Sequence, residues 1–377
     1  MKKRNGLQTL TAGALALGVL ALSVMFFVVP KTDFSENENR YLAKAPVMNW
    51  EEIKSGQYMD DISTYVADHF PFRNFFMNIK AKSEKAMGRR EINGIYIAED
   101  GYLIEPYETP ANTKRIGKTL FDFHEKIKES GVEEKLMLVP TASYVHEDKL
   151  PAYAPLPKVS QAQTAEAIYK MSGMDSVDCS SYLQEEEGQL YYYTDHHWTT
   201  RGAYQGYLAY CEEVGFEPVD LRELEAETVT EAFYGTVYSK VSGYAHRGDT
   251  ITIYNNPSDD LMVYYTDTKE TAKSLYAMEY VSQKDKYSLF LDNLHTLVEI
   301  TNASAETDRV LVLIKDSYAN SMVPFLAHHF KKIYVFDTRY YKHGPAAFIG
   351  EHPEVTDVLL LYNLNTIDTD AGIRGIY

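Results

Sequence analysis

The sequence predicts an α/β domain, with a mainly parallel sheet between two layers of helices, preceded by one transmembrane helix. Short apolar runs of strand length alternate with segments of helical periodicity, as in parallel sheets that helices cover on both faces. A long apolar segment without charges lies near the N-terminus. Among the 377 residues, 45% are hydrophobic and 24% are charged, which is typical of a globular protein and excludes a disordered or fibrous chain.

The acidic composition limits the class of partner. The 37 basic and 54 acidic residues give a net charge of −17, and such a surface repels the phosphate backbone of nucleic acids. For the same reason it favours a neutral polymer over an anionic one. The 31 tyrosines allow two interpretations, because exposed rings stack on sugars whereas buried rings fill a core.

The N-terminal segment predicts a membrane anchor. Three basic residues at positions 2–4 precede the apolar run 10–29, which as a helix rises about 30 Å and matches the hydrocarbon core of a bilayer. The positive-inside rule makes residues 1–5 a cytoplasmic tail, residues 6–29 the anchor and the remainder extracytoplasmic, at a bacterial cell membrane. A cleaved signal peptide is the alternative, but the run ends at Pro30 without the small-residue motif of a cleavage site.

Residues 30–91 are predicted to be a linker followed by a membrane-proximal helical region. Apolar residues recur at helical spacing from Trp50 to about Lys85, and Pro71 interrupts the pattern. The block Asp68–Arg73 within this region is interpreted as a fold or docking element rather than a place of chemistry.

Residues 92–377 are predicted to form one catalytic domain. It opens with a hairpin in which the strands 95–97 and 102–104 flank Glu99-Asp100-Gly101. Further helices are predicted over 116–127, 162–171, 200–214 and 321–330, and further strands over 136–139, 251–254, 310–314, 333–336 and 358–361.

The strongest predicted strand, 310–314, leads directly into Lys315-Asp316-Ser317-Tyr318 and then a helix. Ligands of parallel α/β sheets bind at the carboxyl ends of the strands. A serine on such a turn has an exposed hydroxyl and nearby backbone N–H groups that can hold an oxyanion, which suits a nucleophile. Alternatively, Asp316-Ser317 is an ordinary helix N-cap.

A second motif contains the groups that a serine nucleophile needs. Asp195-His196-His197-Trp198 lies just before the predicted helix 200–214. His197 is the candidate general base, and Asp195, two residues earlier, can orient its imidazole. The alternatives are a metal site at Asp195, His196 and His197, or a polar corner. The other histidines are scattered without metal-ligand spacing, so no metal and no cofactor are expected.

These residues resemble the bacterial DHHW family, which is similar to the alginate O-acetyltransferase proteins of SGNH-hydrolase-like fold, with their D-x-H-W and D-S motifs. Blocks that look like those of the family cover most of the exported chain: Glu38–Ala43, Asp68–Arg73, Asp195–Trp198, Phe233–Thr236 and Lys315–Asn320. The resemblance implies an SGNH-like three-layer α/β/α sandwich. It also implies a catalytic triad of Asp195, His197 and Ser317, with His196 at the variable position of the motif.

The activity that the resemblance implies is O-acetyl transfer to a cell-surface or secreted polysaccharide through an acyl-enzyme on Ser317. Relatives are typically encoded beside a membrane-bound O-acyltransferase, so such a protein is the implied acyl donor. One departure is Lys315, where better-known relatives have glycine before Asp-Ser. Three alternatives stay open: an acetylesterase with the same triad, a non-catalytic scaffold that binds polysaccharide and recruits the acyltransferase, and a metal phosphoesterase.

Further residues of the site are predicted less directly. Arg339 can orient an acyl or sugar oxygen, or it pairs with Asp337 as a surface ion pair. Gly235-Thr236 is predicted as a tight turn whose backbone N–H can face an oxyanion. The candidates for oxyanion stabilisation or substrate orientation are Tyr318, Thr236, Arg339 and Tyr340, and the candidate for stacking on a sugar is Trp198.

The sequence has two cysteines, Cys179 and Cys211. They can pair in an oxidising compartment, but two cysteines in a chain of this length are not a disulfide framework. Cys211 lies in a helical pattern, where a cysteine is commonly a small buried apolar residue. Whether the two pair stays open.

Overall fold

The structure is a computed structural model, and it describes residues 6–35, 40–241, 244, 247–341 and 343–376. The chain divides into two compact units, one of Met1–Arg89 with Ser239–Tyr244 and one of Arg90–Tyr238 with Ala245–Tyr377. The predicted tail of residues 1–5 lies outside the described residues, as do Glu38 and Asn39 of the first family block.

The first unit consists of helices and a short antiparallel ribbon of two strands. Its elements in chain order are α1 (Gly6–Val28), β1 (Phe34–Ser35), β2 (Arg40–Tyr41), α2 (Trp50–Ser55), α3 (Gln57–Asp68) and α4 (Arg73–Ala86). Helix α1 is long and apolar enough to span a membrane between Gln8 and Val28, and that stretch is not buried. A signal sequence meets the same requirements, so anchoring by α1 is a proposal.

Capping residues and helix-breaking residues determine where α2, α3 and α4 begin and end. Asn49 caps α2 by accepting a hydrogen bond of 3.0 Å from the backbone N–H of Glu51, and Gly56, with a φ of 87°, ends that helix. Helix α3 ends and α4 begins on either side of Pro71, where the sequence predicts the break.

The turn between α3 and α4 contains the Asp68–Arg73 block. Asp68 Oδ2 accepts from the backbone N–H of Ala43 at 2.8 Å, and His69 Nε2 lies 2.9 Å from the carbonyl oxygen of Ala43. The block therefore fastens this turn to the segment after β2.

The second unit contains the main sheet. Its strands are β3 (Glu91–Ile92), β4 (Ile95–Ile97), β5 (Leu103–Ile104), β6 (Glu133–Val139), β7 (Asp175–Val177), β8 (Glu225–Phe233), β9 (Asp249–Asn255), β10 (Leu261–Tyr265), β11 (Glu270–Ala272), β12 (Leu297–Asn302), β13 (Val310–Lys315), β14 (Lys332–Phe336) and β15 (Asp357–Asn363).

Helices alternate with these strands. The α-helices are α5 (Thr113–Ile127), α6 (Ala142–Val145), α7 (Gln161–Ser172), α8 (Ser180–Glu185), α9 (Thr200–Val214), α10 (Thr236–Lys240), whose last residues belong to the first unit, α11 (Val323–Leu326), α12 (Pro345–Glu351) and α13 (Thr366–Thr369). Turns of 3₁₀-helix span Glu99–Gly101, Lys128–Ser130, Glu147–Lys149, Leu221–Glu223, Met278–Ser282, Lys286–Leu289, Ser317–Ser321, Ala327–His329 and Gly372–Gly375.

The main sheet has the strand order β11-β10-β12-β14-β13-β15-β6-β7. The five strands from β14 to β7 are parallel, and β12, β10 and β11 extend the sheet as an antiparallel edge. Strands β4 and β5 form the predicted hairpin. Strand β9, predicted at residues 251–254, pairs with β8 in a separate ribbon rather than with the main sheet.

Alternating side chains of the sheet build two apolar cores. Leu311 and Leu313 of β13 pack on one face with residues of α9 and α11. Val312 and Ile314 pack on the other face with residues of α5, α7 and α12. The second unit is therefore a three-layer sandwich with a mainly parallel sheet, and the predicted SGNH-like fold class is confirmed.

Both cysteines are free and buried in the core that contains α9. Burial raises the pKa of both thiols, that of Cys211 to about 12. They are therefore small apolar residues of the core and not a disulfide.

His146, which is buried, and His329, which is half-buried, resist protonation in the folded second unit, and we expect acid to destabilise the protein through them. Burial lowers the pKa of His146 and of His329 from 6.5 to about 4. Between these values the unfolded chain binds protons that the folded chain excludes, so stability present above about pH 6.5 is lost as the pH falls toward 4. Urea unfolding at a series of pH values should show a loss on the order of a few kcal/mol across that range.

A matched variant separates His146 from the other titrating groups. The His146 ring packs against Tyr102, with ring centroids 4.6 Å apart, so His146→Phe keeps an aromatic ring and removes the titration. We expect a shallower fall of stability between pH 6.5 and 4 in this variant. An unchanged slope would contradict the role assigned to His146.

Candidate active site

The turn that carries Ser317 begins where β13 ends, at the carboxyl edge of the parallel strands. The buried carboxylate of Asp316 fixes it: Oδ1 accepts from the backbone N–H of Tyr318 at 2.9 Å, and Oδ2 accepts from that of Asn363 at 2.7 Å. Asp316 is thus the N-cap of the turn and ties it to the end of β15. Ser317 itself is partly exposed.

The Asp195–His197 segment lies in a tight loop closed by the antiparallel bridge between Tyr191 and Trp198. The buried carboxylate of Asp249, at the start of β9, supports this loop. It accepts from the backbone N–H groups of Tyr193 at 2.7 Å and Thr194 at 2.8 Å, and from the hydroxyl of Thr194 at 2.6 Å. The backbone that presents Asp195 and His197 is therefore held by a second carboxylate.

Ser317, His197 and Asp195 are hydrogen-bonded in a row. Ser317 Oγ lies 2.7 Å from His197 Nε2, and His197 Nδ1 lies 2.5 Å from Asp195 Oδ1. A carboxylate only accepts hydrogen bonds, so the proton of the neutral imidazole resides on Nδ1 and Nε2 is left to accept from the serine hydroxyl. This is the geometry of a serine nucleophile with a general base and an orienting carboxylate.

Gly235 and Thr236 complete the environment of Asp195. Its Oδ2 accepts from the backbone N–H of Thr236 at 2.7 Å and from the Thr236 hydroxyl at 2.9 Å, and its Oδ1 accepts a further bond from the N–H of His197 at 3.1 Å. A side chain at Gly235 would place Cβ 2.2 Å from Oδ2. The expectation that this turn donates to an oxyanion is corrected, because the Thr236 N–H is bound to Asp195 and that of Gly235 to Thr194 Oγ1.

The electrostatics of the pair favour a charged carboxylate and a neutral imidazole. Burial alone raises the pKa of Asp195, but the adjacent His196 and His197 and the hydrogen bonds from His197 and Thr236 outweigh it and lower the pKa. Burial, together with His196, lowers the pKa of His197 to about 4, although Asp195 acts in the opposite direction. His197 is thus ready to accept a proton at neutral pH.

Tyr287 contributes to the site without any motif to mark it. Its ring stacks on the imidazole of His197 at 3.8 Å between centroids and 7° between planes. Its hydroxyl donates to the carbonyl oxygen of Ser317 at 3.0 Å and lies 3.1 Å from Ser321 Oγ. Tyr287 therefore packs against the base and fastens the serine turn at the same time. Nothing in the sequence around it indicates either contact, whereas Gly235 and Thr236 lie in a recognisable family block.

Two candidate residues have structural roles instead of the predicted ones. Trp198 is fully buried, and its Nε1 donates to the carbonyl oxygen of Tyr318 at 2.8 Å. Its ring fits against α9, where a Cβ at Gly206 would lie 2.7 Å from it, so it has no face for a sugar. Tyr318 is also buried; its hydroxyl donates to the carbonyl oxygen of His196, and its N–H is bound to Asp316. Neither group is available to a substrate.

The remaining candidates lie at the end of β14. Arg339 donates through Nε to Asp337 Oδ1 at 2.8 Å and through a terminal nitrogen to Oδ2 at 2.5 Å. Asp337 is fully buried, so this pair is not the surface ion pair of the alternative interpretation. Lys315 is buried too, with Nζ 3.7 Å from Asp337 Oδ2, and burial lowers its pKa. Tyr340 is exposed beside Arg339.

The alternative of a metal centre concerns Asp195, His196 and His197, whose ligand atoms lie within 4.8 Å of one another. Both nitrogens of His197 and both oxygens of Asp195 are engaged in the hydrogen bonds above. The Thr236 hydroxyl donates to Asp195, so at 2.7 Å it accepts from His196 Nδ1. A metal here would have to displace these bonds, so this donor set fits a triad better than a metal site.

Comparisons with known proteins identify the family and the fold. A family model described as DHHW protein matches residues 135–336, more than half of the chain. The structure of a DHHW family protein from Eubacterium siraeum is similar, with a TM-score of 0.64, 28% identity, and coverage of 76% of this chain and 95% of that one. Bacillus cereus PatB1, solved with a sulfonyl adduct, shares the fold at a TM-score of 0.63 and 18% identity, with coverage of 75% and 98%. A comparison with the curated proteins gives no match.

The close approach of Gly235 to Asp195 predicts the effect of a single methyl group. In Gly235→Ala the new Cβ would meet Asp195 Oδ2 at 2.2 Å, so the carboxylate must move and give up hydrogen bonds to His197 or Thr236. We expect the rate at which phenylmethanesulfonyl fluoride modifies Ser317, measured by intact mass, to fall at least roughly 100-fold.

Gly350→Ala is the matched control, because no atom lies within 4 Å of the Cβ that it adds in α12. We expect this variant to react at the rate of the wild type. Equal rates for the wild type and Gly235→Ala would show that the position of Asp195 does not control the serine.

Proposed function

The chain belongs to the DHHW protein family, and we propose on that basis that it is a membrane-anchored extracytoplasmic O-acetyltransferase acting on a polysaccharide. Its catalytic residues are Ser317, His197 and Asp195. The observation that carries the proposal is the hydrogen-bonded row from Ser317 Oγ through the His197 ring to Asp195, at 2.7 Å and 2.5 Å. The base and the nucleophile come from segments 120 residues apart.

The reaction has two half-reactions that use the same base. Ser317 Oγ attacks the carbonyl carbon of the acetyl donor while His197 Nε2 takes its proton, and the proton then passes to the leaving group, which leaves an acetyl ester on Ser317. In the second half, His197 takes the proton of a sugar hydroxyl and the sugar oxygen attacks the ester. Collapse returns the proton to Ser317 Oγ and releases the acetylated sugar.

The surrounding residues keep the base in one orientation through both halves. Asp195 stabilises the imidazolium that forms each time His197 takes a proton. Thr236 and the backbone N–H of His197 hold Asp195 in place. Tyr287 lies flat on the imidazole and restricts its rotation.

The oxyanion requires N–H donors beside Ser317, and we assign two. One is the backbone N–H of Ser317, at the first position of its turn, where a helix offers no acceptor. The other is the side chain of Asn320, which lies three residues on and hence on the same side of a 3₁₀ turn. The donating group of Asn320 is its side-chain Nδ2, because an amide oxygen only accepts, and the side chain is buried.

The charge around the triad favours a neutral acceptor sugar. The charge of Glu105 acts on His197, and Asp285 is a further carboxyl near the triad, whose pKa is raised by burial and by the charge of Asp195. An anionic polymer would approach these carboxylates on a chain whose net charge is −17. The family resemblance and the apolar helix α1 favour transfer at a membrane, with a membrane-bound O-acyltransferase as the donor, over hydrolysis in free solution.

The direct test is acetylation of the full-length protein in detergent. We expect 4-nitrophenyl acetate to add one acetyl group to the wild type and none to Ser317→Ala, as measured by intact mass. Neutral oligosaccharides should then discharge the adduct into acetylated sugar. Ser282→Ala is the control, because its hydroxyl donates to the carbonyl oxygen of Glu279 at an exposed position.

Each outcome has a separate meaning. Discharge to acetate alone, with every oligosaccharide, would make the protein an esterase with the same triad. Equal labelling of the wild type and Ser317→Ala would contradict the assigned nucleophile. No labelling of either would favour a non-catalytic scaffold.

The low pKa of His197 predicts the pH dependence of the activity. The base must be neutral to accept a proton, and with a pKa of about 4 it is neutral at every pH above about 5. We expect kcat/KM to stay near its plateau down to about pH 5 and to fall below that. Initial rates measured over short times distinguish this fall of kcat/KM from unfolding of the protein in acid. A midpoint near 6.5, the ordinary value for histidine, would contradict the burial effect.

A further inference from the structure

Helix α4 has an exposed apolar face. At 100° per residue, Phe75, Phe76 and Ile79 fall within an arc of roughly 100°, and Phe72 precedes them at the N-cap. Their exposed fractions run from 43% for Phe76 to 60% for Phe75. The rings of Phe75 and Phe76 contact each other at 5.6 Å. The buried residues of the helix, Ala81 and Glu84, lie outside this arc, so the face points away from the core of the first unit.

Basic residues border this face. Lys80 follows Phe76 around the helix on one side and Lys82 follows Phe75 on the other, each by roughly 20–40°. Residues 73–90 contain six basic residues and one acidic residue: Arg73, Lys80, Lys82, Lys85, Arg89, Arg90 and Glu84. The whole chain has a net charge of −17, so the net charge of residues 73–90 is opposite in sign to that of the chain.

The start of α4 lies beside the carboxyl end of α1, within the same unit. The ring of Tyr65 in α3 contacts that of Phe26 in the last turns of α1 at 6.1 Å. Lys31 Nζ lies 3.5 Å from the carbonyl oxygen of His69, in the turn that leads to α4. A cavity of about 460 Å³ between these segments is lined by residues 29–32, 34, 35, 42 and 68–74. If α1 spans the bilayer, this turn lies at the level of the headgroups.

We propose that α4 is a membrane-docking helix whose apolar face, Phe72, Phe75, Phe76 and Ile79, enters the outer surface of the bilayer that holds α1, while Lys80 and Lys82 bind anionic headgroups. An apolar arc bordered by lysines is the pattern of a helix that lies in the interface plane. Aromatic side chains also prefer the interface between the membrane and water. Each lysine near an anionic surface adds to the attraction.

The docking rests on the proposed anchoring by α1 but not on the proposed chemistry. It gives the first unit a second point of attachment, so that a single spanning helix does not leave the unit free to tilt. The basic segment 73–90 is attracted to these headgroups, whereas the remainder of the chain, with its net negative charge, is repelled by them.

The test uses the full-length protein in vesicles, with an environment-sensitive dye on a cysteine introduced at Phe75. Cys179 and Cys211 are buried, so a maleimide dye reacts with the new thiol. Brominated lipids quench a dye that lies in the acyl region. We expect a blue-shifted, quenched dye in vesicles of phosphatidylcholine mixed with phosphatidylglycerol, and weaker quenching in phosphatidylcholine alone.

Two controls test whether the quenching of the dye is specific to α4. The same dye at Glu166→Cys, an exposed position on α7, measures non-specific quenching. Adding Lys80→Glu and Lys82→Glu to the Phe75 reporter should lower the ratio of docked to undocked helix at least roughly tenfold in the anionic vesicles. The reporter positions are exposed, so circular dichroism and the Tm are expected to match the wild type.

The outcomes separate docking from anchoring. If the protein does not float with vesicles, the anchor fails and the docking proposal fails with it. If it floats, but the dye at position 75 stays in water with both lipids, only the docking is overturned. A blue shift without quenching by brominated lipid would place the face against protein and would also overturn the proposal. Lipid quenching that survives both charge reversals would overturn the role of the lysines.

Discussion

The buried carboxylate of Asp195 is the constraint on which the candidate active site depends. A charge removed from water is tolerated only where hydrogen bonds replace its hydration. Asp195 receives four, two from His197 and two from Thr236, and the absence of a side chain at Gly235 lets the backbone come close enough to give them. Once these donors are in place, the imidazole has one orientation, and its second nitrogen faces Ser317.

Two further buried carboxylates position the segments that carry the triad. Asp249 accepts from backbone N–H groups of the loop before Asp195. Asp316 accepts from N–H groups of the serine turn and of the end of β15. Each carboxylate accepts hydrogen bonds from backbone N–H groups that would otherwise be unsatisfied, and it thereby holds the backbone of that segment rigidly. Tyr287 then joins the two halves, since its ring packs on His197 and its hydroxyl bonds to the serine turn. Precise placement here comes from neutral donors to buried acids rather than from ion pairs.

In the first unit, the physical constraint concerns the exposed surface rather than a buried charge. Its exposed surface combines an apolar helix α1, an aromatic face on α4 and a concentration of basic residues in a chain that is otherwise acidic. Aqueous solvent would disfavour such a surface, whereas a bilayer interface satisfies all three features together. The proposed attachment of the first unit is consistent with the proposed acetyl transfer by the second unit, in which the donor is a membrane protein.

The sequence by itself determined the α/β class, the apolar N-terminal helix, most strands and helices, and the pairing of Asp195 and His197 with Ser317. These depend on periodicity and on short motifs, which are local. Only the tertiary structure decided how individual groups are used: Trp198 and Tyr318 are buried rather than facing a sugar, Thr236 holds Asp195 rather than an oxyanion, and Tyr287 packs on the base. It also decided that β9 leaves the main sheet and that β10–β12 form an antiparallel edge. The physical reason is that these hydrogen-bond donors and ring faces are occupied by partners 41 to 122 residues away in the sequence. A local sequence pattern contains no information on which distant partner a side chain contacts.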